Sequence, residues 1–86
     1  MNLFYVKICY RINMFALAER NEYFTSEEGM KYYIDFFEKY LYSEGNMWIT
    51  CIGEARINKN DMIVTDTETE YIRNIYTAKS ESGLDS

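Results

Sequence analysis

The segment TSEEGMKYYIDFFEKYLYSEG, residues 25–45, decides the fold, because it is the one clear helical stretch between segments that alternate with a period of two. Thr25 and Glu28 stand at the spacing of a capping box, in which the threonine hydroxyl accepts a hydrogen bond from an unpaired amide and the glutamate reaches back. Met30, Tyr33, Ile34, Phe37, Tyr40 and Leu41 follow as the apolar stripe of an amphipathic helix. Gly45 supplies a left-handed stop. The spacing predicts a helix from about Ser26 to Glu44.

On either side the period changes. From Leu3 to Ile12, Phe4, Val6, Ile8, Tyr10 and Ile12 fall on one face, and Leu3, Tyr5, Lys7, Cys9 and Arg11 on the other. Asn13 to Phe24 reads either as a loop or, over Phe15 to Ala18, as an extension or partner of that strand. Met47 to Ile57 alternates again, with Gly53 marking a bulge or a close backbone approach. Asn58-Lys59-Asn60-Asp61 is a turn, and Met62 to Thr67 returns as the second arm of a hairpin. Glu68 to Lys79 fits a short helix carrying Ile72, Ile75 and Tyr76, or an extension of the last strand. The expected order is β-α-β-β: a single α+β domain over residues 1–79, one helix on a three-stranded, mostly antiparallel sheet, then a polar, disordered tail at 80–86.

One helix covers one face of such a sheet. With Phe4, Val6, Ile8, Met47, Ile49 and Cys51 beneath it, strand parity places Tyr5, Lys7, Arg11, Trp48, Ile52 and Arg56 on the open face. Tyr71 and Arg73 join them if the last segment is a strand. The chain has 86 residues and a formal charge of −5, but that charge is unevenly placed. Residues 3–13 hold Lys7 and Arg11 and no acid, whereas the helix and residues 61–70 are acidic. The predicted open face is therefore locally basic.

Several chemistries are excluded by what is missing. There is no histidine and no proline, so histidine-activated serine or cysteine nucleophiles are absent. Cys9 and Cys51 make no four-ligand zinc site without histidine partners, and read as small hydrophobes. Glu27 and Glu28 complement the helix dipole. The run TDTETE, residues 65–70, is a solvated edge without the spacing of a calcium loop. No glycine-rich phosphate loop exists, and no stretch approaches the roughly 20 apolar residues that span a bilayer. These readings give no enzyme, no catalytic residue, no metal and no cofactor, and a cytoplasmic protein that does not engage membranes.

What remains is binding. Aromatic side chains on an open sheet stack bases while lysines and arginines hold phosphates. Tyr5, Lys7, Arg11, Trp48, Arg56, Tyr71 and Arg73 supply that combination, so RNA or single-stranded nucleic acid is the favoured partner. The alternative uses the acids: Glu27, Asp35, Glu38 and Glu44 on the helix, with Asp66, Glu68 and Glu70 along a strand, would grip a basic host protein as a DNA mimic does. A structural or self-assembling role, including a homodimer, is the third reading. Short, motif-poor, proline-free and rich in Tyr, Asn and Ile, the chain resembles the small proteins encoded in phage early or host-takeover regions. That resemblance implies a protein that redirects or inhibits a host macromolecule without chemistry of its own.

Overall fold

The computed structural model describes residues 1–73. Its elements are β1 (Asn2–Asn13), β2 (Ala16–Phe24), α1 (Glu27–Phe36) continued by a π-helical turn (Phe37–Leu41), β3 (Met47–Ile57) and β4 (Ile63–Glu70). The four strands form one antiparallel sheet in the order β2-β1-β3-β4. The α+β class, with one helix on an antiparallel sheet, is as the periodicity indicates. The sheet has one strand more than expected, because residues 16–24 pair along β1 from Phe4↔Phe24 to Arg11↔Leu17. Met14 and Phe15 make the tight turn between them, and the Asn13 side-chain oxygen accepts from the Phe15 amide at 2.8 Å.

The second hairpin turns where Asn58-Lys59-Asn60-Asp61 indicates. The Asn58 side-chain oxygen accepts from the amides of Asn60 (2.8 Å) and Met62 (3.0 Å), and Asp61 takes a φ of 59°. Asn and Asp tolerate that left-handed region because their short polar side chains bond locally. β4 ends at Glu70, so of the ambiguous segment residues 68–70 are strand. Tyr71 to Arg73 follow outside the strand, and residues 74–86, which include the end of that segment and the expected tail, lie outside the described residues.

The helix starts one residue later than a Thr25 cap requires. Ser26 is the N-cap, its hydroxyl accepting from the Gly29 amide at 3.0 Å. Met30, Ile34 and Phe37 are buried against Val6, Ile8 and Ile49, with Phe24, Tyr33, Leu41 and Tyr42 packed around them. Tyr33 lies 5.2 Å from the Phe24 ring and 6.3 Å from that of Phe37. Tyr40 was expected in this stripe but is exposed. The cause is the π turn, in which the Tyr42 amide donates to the Phe37 carbonyl at 2.8 Å. That wider turn delays the rotation of the chain and brings Leu41 and Tyr42, not Tyr40, toward the sheet. Gly45 has the expected positive φ, 77°, but in the turn that leads into β3.

Three bulges interrupt the sheet: one leaves Ile12 as an extra residue of β1 beside the hairpin turn, and the other two reset the faces of β3 and β4. Between β1 and β3, Lys7 pairs with Cys51 and Ile8 with Ile49, leaving Thr50 as an extra residue. Every side chain beyond it changes side relative to strict alternation. Ile52, opposite Val6, therefore faces the helix, and Cys51 faces away. Both reverse the expected assignment. Arg56, opposite Asn2, also moves to the helix side. The backbone carbonyl of Thr50 accepts from the Tyr71 amide at 3.0 Å, which carries Tyr71 into the helix-side core. In β4 the extra residue is Asp66, since Ala55 pairs with Thr65 and Glu54 with Thr67.

Candidate functional site

The face away from the helix is centred on Tyr5. Its neighbour across β3 is Gly53, and a Cβ placed there would lie 2.8 and 2.9 Å from ring atoms of Tyr5 and 2.1 Å from the Thr67 carbonyl oxygen. The glycine is thus the seat on which the tyrosine ring lies, and the bulge is elsewhere. Tyr5 is 1% exposed, and with Leu3, Ala55 and Ile57 it forms a second, smaller apolar cluster. Tyr23 flanks it with ring centroids 6.1 Å apart.

The polar end of this ring organises a network across three strands. The Tyr5 hydroxyl donates to Glu68 at 2.7 Å, and the Lys7 ammonium donates to the same carboxylate at 3.4 Å. Hydrogen bonds from Tyr5, then Cys51 and Lys7, hold the Glu68 carboxyl below its ordinary value despite some desolvation. Burial, reinforced by the Glu68 charge, pushes the Tyr5 phenol up to about 12. Burial and then the hydrogen bond to Glu68 push the Cys51 thiol up as well. A protonated, partly shielded thiol is a poor nucleophile.

This network makes stability depend on pH from both sides. A depressed folded-state carboxyl stabilises the fold above its unfolded value and loses that contribution as pH falls through the folded one, below about pH 4. A phenol raised from 10 to about 12 acts in the opposite sense: its contribution is complete below pH 10 and disappears as pH rises toward 12. Urea midpoints at pH 3, 7 and 11 check this. Glu68→Gln should lose less stability than the wild type between pH 7 and pH 3. Equal losses would show that Glu68 is not coupled to the fold.

Tyr5, Lys7, Arg11 and Trp48 are brought to one face, as expected. Arg56, Tyr71 and Arg73 are not. Arg56 pairs with Asp66 at 2.9 Å on the helix side. Tyr71 is buried in the helix-side core and its hydroxyl donates to Glu38 at 3.1 Å. Arg73 pairs with the same carboxylate and stacks over the Tyr42 ring, 4.0 Å from its centroid. Three of the four residues that do share the face are also engaged: Tyr5 is covered, Lys7 is bound to Glu68, and the Arg11 guanidinium donates to backbone carbonyls of Met14 and Gly45. Arg11 and half-buried Trp48 are diagonal neighbours, since Trp48 lies opposite Cys9 and the Arg11 amide bonds Asn46. By the same register, Glu19, Glu68 and Glu70 lie on this face too.

The acidic set is dispersed. Glu68 and Glu70 share the open face, opposite Gly53 and Cys51, whereas Asp66 turns from its bulge to Arg56. Glu27 pairs with Lys31 at 3.3 Å, and the Glu38 side chain is only 8% exposed against Tyr71 and Arg73. Asp35 stands exposed on the outer side of α1. No continuous acidic strip results.

The β1–β2 hairpin tip is a surface that residue-by-residue reading missed. Ile12, Met14, Phe15 and Leu17 are all exposed there, Phe15 at 93%. The signal was present in the run INMFAL, but it becomes visible only once residues 14 and 15 are known to be the turn of a hairpin. Arg11 braces the tip, its guanidinium donating to the carbonyls of Gly45 (2.8 Å) and Met14 (3.4 Å). Among the described residues no group of three histidine, cysteine or acidic side chains is placed to hold a metal ion, and no helix is long and apolar enough to cross a membrane. Compared with known protein families, curated proteins and solved structures, the chain matches none.

Proposed function

We propose that this chain is a non-catalytic binding protein that seats the tip of its β1–β2 hairpin in a pocket of a partner protein. The observation that carries the reading is the exposure of four large apolar side chains on one braced turn, with Phe15 at its apex. Apolar surface gathered this way is uncommon on a protein that remains alone. Aromatic anchors that fill pockets dominate interface energetics, and a turn held in place beforehand loses little entropy on docking. With the resemblance to phage early proteins, the partner would be a host protein. The expected effect of Met14→Ser with Phe15→Ser is a loss of partner affinity of about 30-fold or more. The urea midpoint should be unchanged, because neither side chain packs in the core. Equal capture of the same protein by wild type and variant would refute this docking mode.

Nucleic-acid binding is kept as the second reading because Arg11 and Trp48 remain neighbours on the open face. Pairing of Lys7, Arg56 and Arg73 with acids, and the burial of Tyr5, favour the protein partner over it. A mobility shift with single-stranded RNA separates the two. A salt-sensitive shift that survives Phe15→Ser and is lost in Lys7→Glu with Arg11→Glu would select RNA. No shift at low salt would remove that reading.

A further inference from the structure

The outer side of α1 carries a second apolar surface, separate from the hairpin tip. Tyr32, Phe36 and Tyr40 follow one another at four-residue steps and are 79%, 44% and 67% exposed. Phe36 and Tyr40 stack with centroids 5.2 Å apart. In a regular α-helix the third ring would drift around toward the sheet; the π turn delays that rotation and keeps Tyr40 above Phe36. Asp35 and Lys39 line the same shallow groove, about 240 Å³ in volume, along one flank of the ridge. Among the described residues neither has an ion-pair partner. The Lys39 ammonium lies 5.9 Å from the Tyr40 ring centroid.

We infer that this ridge is the contact surface of a weak, two-fold symmetric homodimer in which α1 packs antiparallel on α1 of a second copy. The pattern is complementary to itself in that orientation only. Tyr32 and Tyr40 are placed symmetrically about Phe36, so each tyrosine of one copy meets the other tyrosine of its partner. Asp35 and Lys39 are symmetric about Phe37, one residue along, which leaves facing charges offset by about 3 Å along the helices, a distance that flexible side chains absorb. A two-fold axis perpendicular to the plane of the two helices keeps both charged flanks on the same side. Asp35 then meets the partner's Lys39, and Lys39 meets the partner's Asp35. A parallel arrangement has its two-fold axis along the helices and puts the two charged flanks on opposite sides, where neither charge meets the partner's. The i, i+4 spacing is also the ridge that packs into grooves between helices at 8–10 Å separation.

The area sets the strength. Three aromatic side chains at these exposures offer roughly 400 Å² per copy, about half of what a standard-size interface buries on each side. The dimer is therefore expected in the range of tens of micromolar to about a millimolar.

Sedimentation velocity from 10 μM to 1 mM tests this on the full chain. The wild type should pass from monomer to dimer across that range, and Phe36→Ser should remain monomeric with an unchanged urea midpoint. Asp35→Lys and Lys39→Asp should each weaken the dimer about tenfold, and the double exchange Asp35→Lys with Lys39→Asp should restore it to within about threefold. Met14→Ser with Phe15→Ser should leave it intact. A wild type that is monomeric at 1 mM would overturn the inference and leave the ridge to a different protein. Dimerisation that survives Phe36→Ser, or a double exchange no better than either single one, would overturn it as well.

Discussion

Phe37→Ala is expected to destabilise the domain by about 3–5 kcal/mol and to lower Tm by an amount on the order of 20 °C. Phe37 is fully buried at the centre of the main core, where Met30 and Ile34 of α1 meet Val6 and Ile8 of β1, Ile49 of β3, and Tyr71. Truncation removes the ring's burial and leaves a cavity that the surrounding strands, held by their ladder hydrogen bonds, cannot close. The position also opens the π turn, its carbonyl accepting from Tyr42, so loss of the ring loosens the segment that aims Tyr40 outward. Against a typical total stability of about 5–15 kcal/mol, this one change consumes a large share of the margin. Urea denaturation followed by far-ultraviolet circular dichroism reads it directly, with Phe37→Leu as the milder comparison. A loss below about 1 kcal/mol would mean that Phe37 is not the core residue described here.

The second large effect comes from adding atoms. Gly53→Val is expected to cost about 3 kcal/mol or more, and Gly53→Ala a smaller but clear amount. Backbone strain is not the reason, since Gly53 does not adopt a positive φ. Space is the reason. A Cβ there would stand 2.1 Å from the Thr67 carbonyl oxygen and within 2.9 Å of the Tyr5 ring. The ring is not free to turn aside, because its hydroxyl is held by Glu68 and its body lies among Leu3, Ala55 and Ile57. The carbonyl belongs to the adjacent strand, so relief requires β4 to shift. A double-mutant cycle separates the two clashes. Tyr5→Leu in the Gly53→Ala background should recover only part of the loss, because the contact with Thr67 remains. Full recovery would place the whole conflict on the ring, and a Gly53→Ala variant within about 0.5 kcal/mol of wild type would show that no close approach exists.

The two substitutions also mark where sequence reasoning succeeded and where it stopped. Phe37 was recognisable from the spacing Met30, Ile34, Phe37, because a side chain's place on an α-helix follows from its position in the chain. Gly53 was recognisable as an unusual position, but not as the seat for Tyr5, which is 48 residues away in the chain. β2 was hard to see because ALAERNEYF, residues 16–24, mixes alanine with charged residues. Edge strands commonly carry such sequences, and charges at an edge discourage further pairing. Tyr40 was misplaced because a π turn has no signature in the apolar pattern that precedes it.

The candidate site depended on parity, and parity is fragile. Alternation placed Tyr5, Lys7, Arg11 and Trp48 correctly because β1 is regular as far as Arg11 and Trp48 lies before the bulge. One extra residue at Thr50 then reversed Cys51 and Ile52 and moved Arg56 to the helix side. Charge was still less local. Sequence position alone makes the basic residues a face available to phosphates, yet Lys7 meets Glu68, Arg56 meets Asp66, and Arg73 meets Glu38. These partners lie between 10 and 61 residues apart in the chain.

From sequence alone this chain is an α+β domain with one amphipathic helix against an antiparallel sheet, without the side chains for histidine-based catalysis. Those properties follow from residue type and short-range periodicity, which the backbone imposes on every segment independently. Tertiary structure alone decided which aromatics are covered, which charges are neutralised, and that apolar side chains gather in the open at the hairpin tip and along Tyr32, Phe36 and Tyr40. The physical reason is that exposure and ion pairing belong to pairs of segments. A bulge or a π turn changes which pairs meet while leaving the local pattern on either side almost untouched.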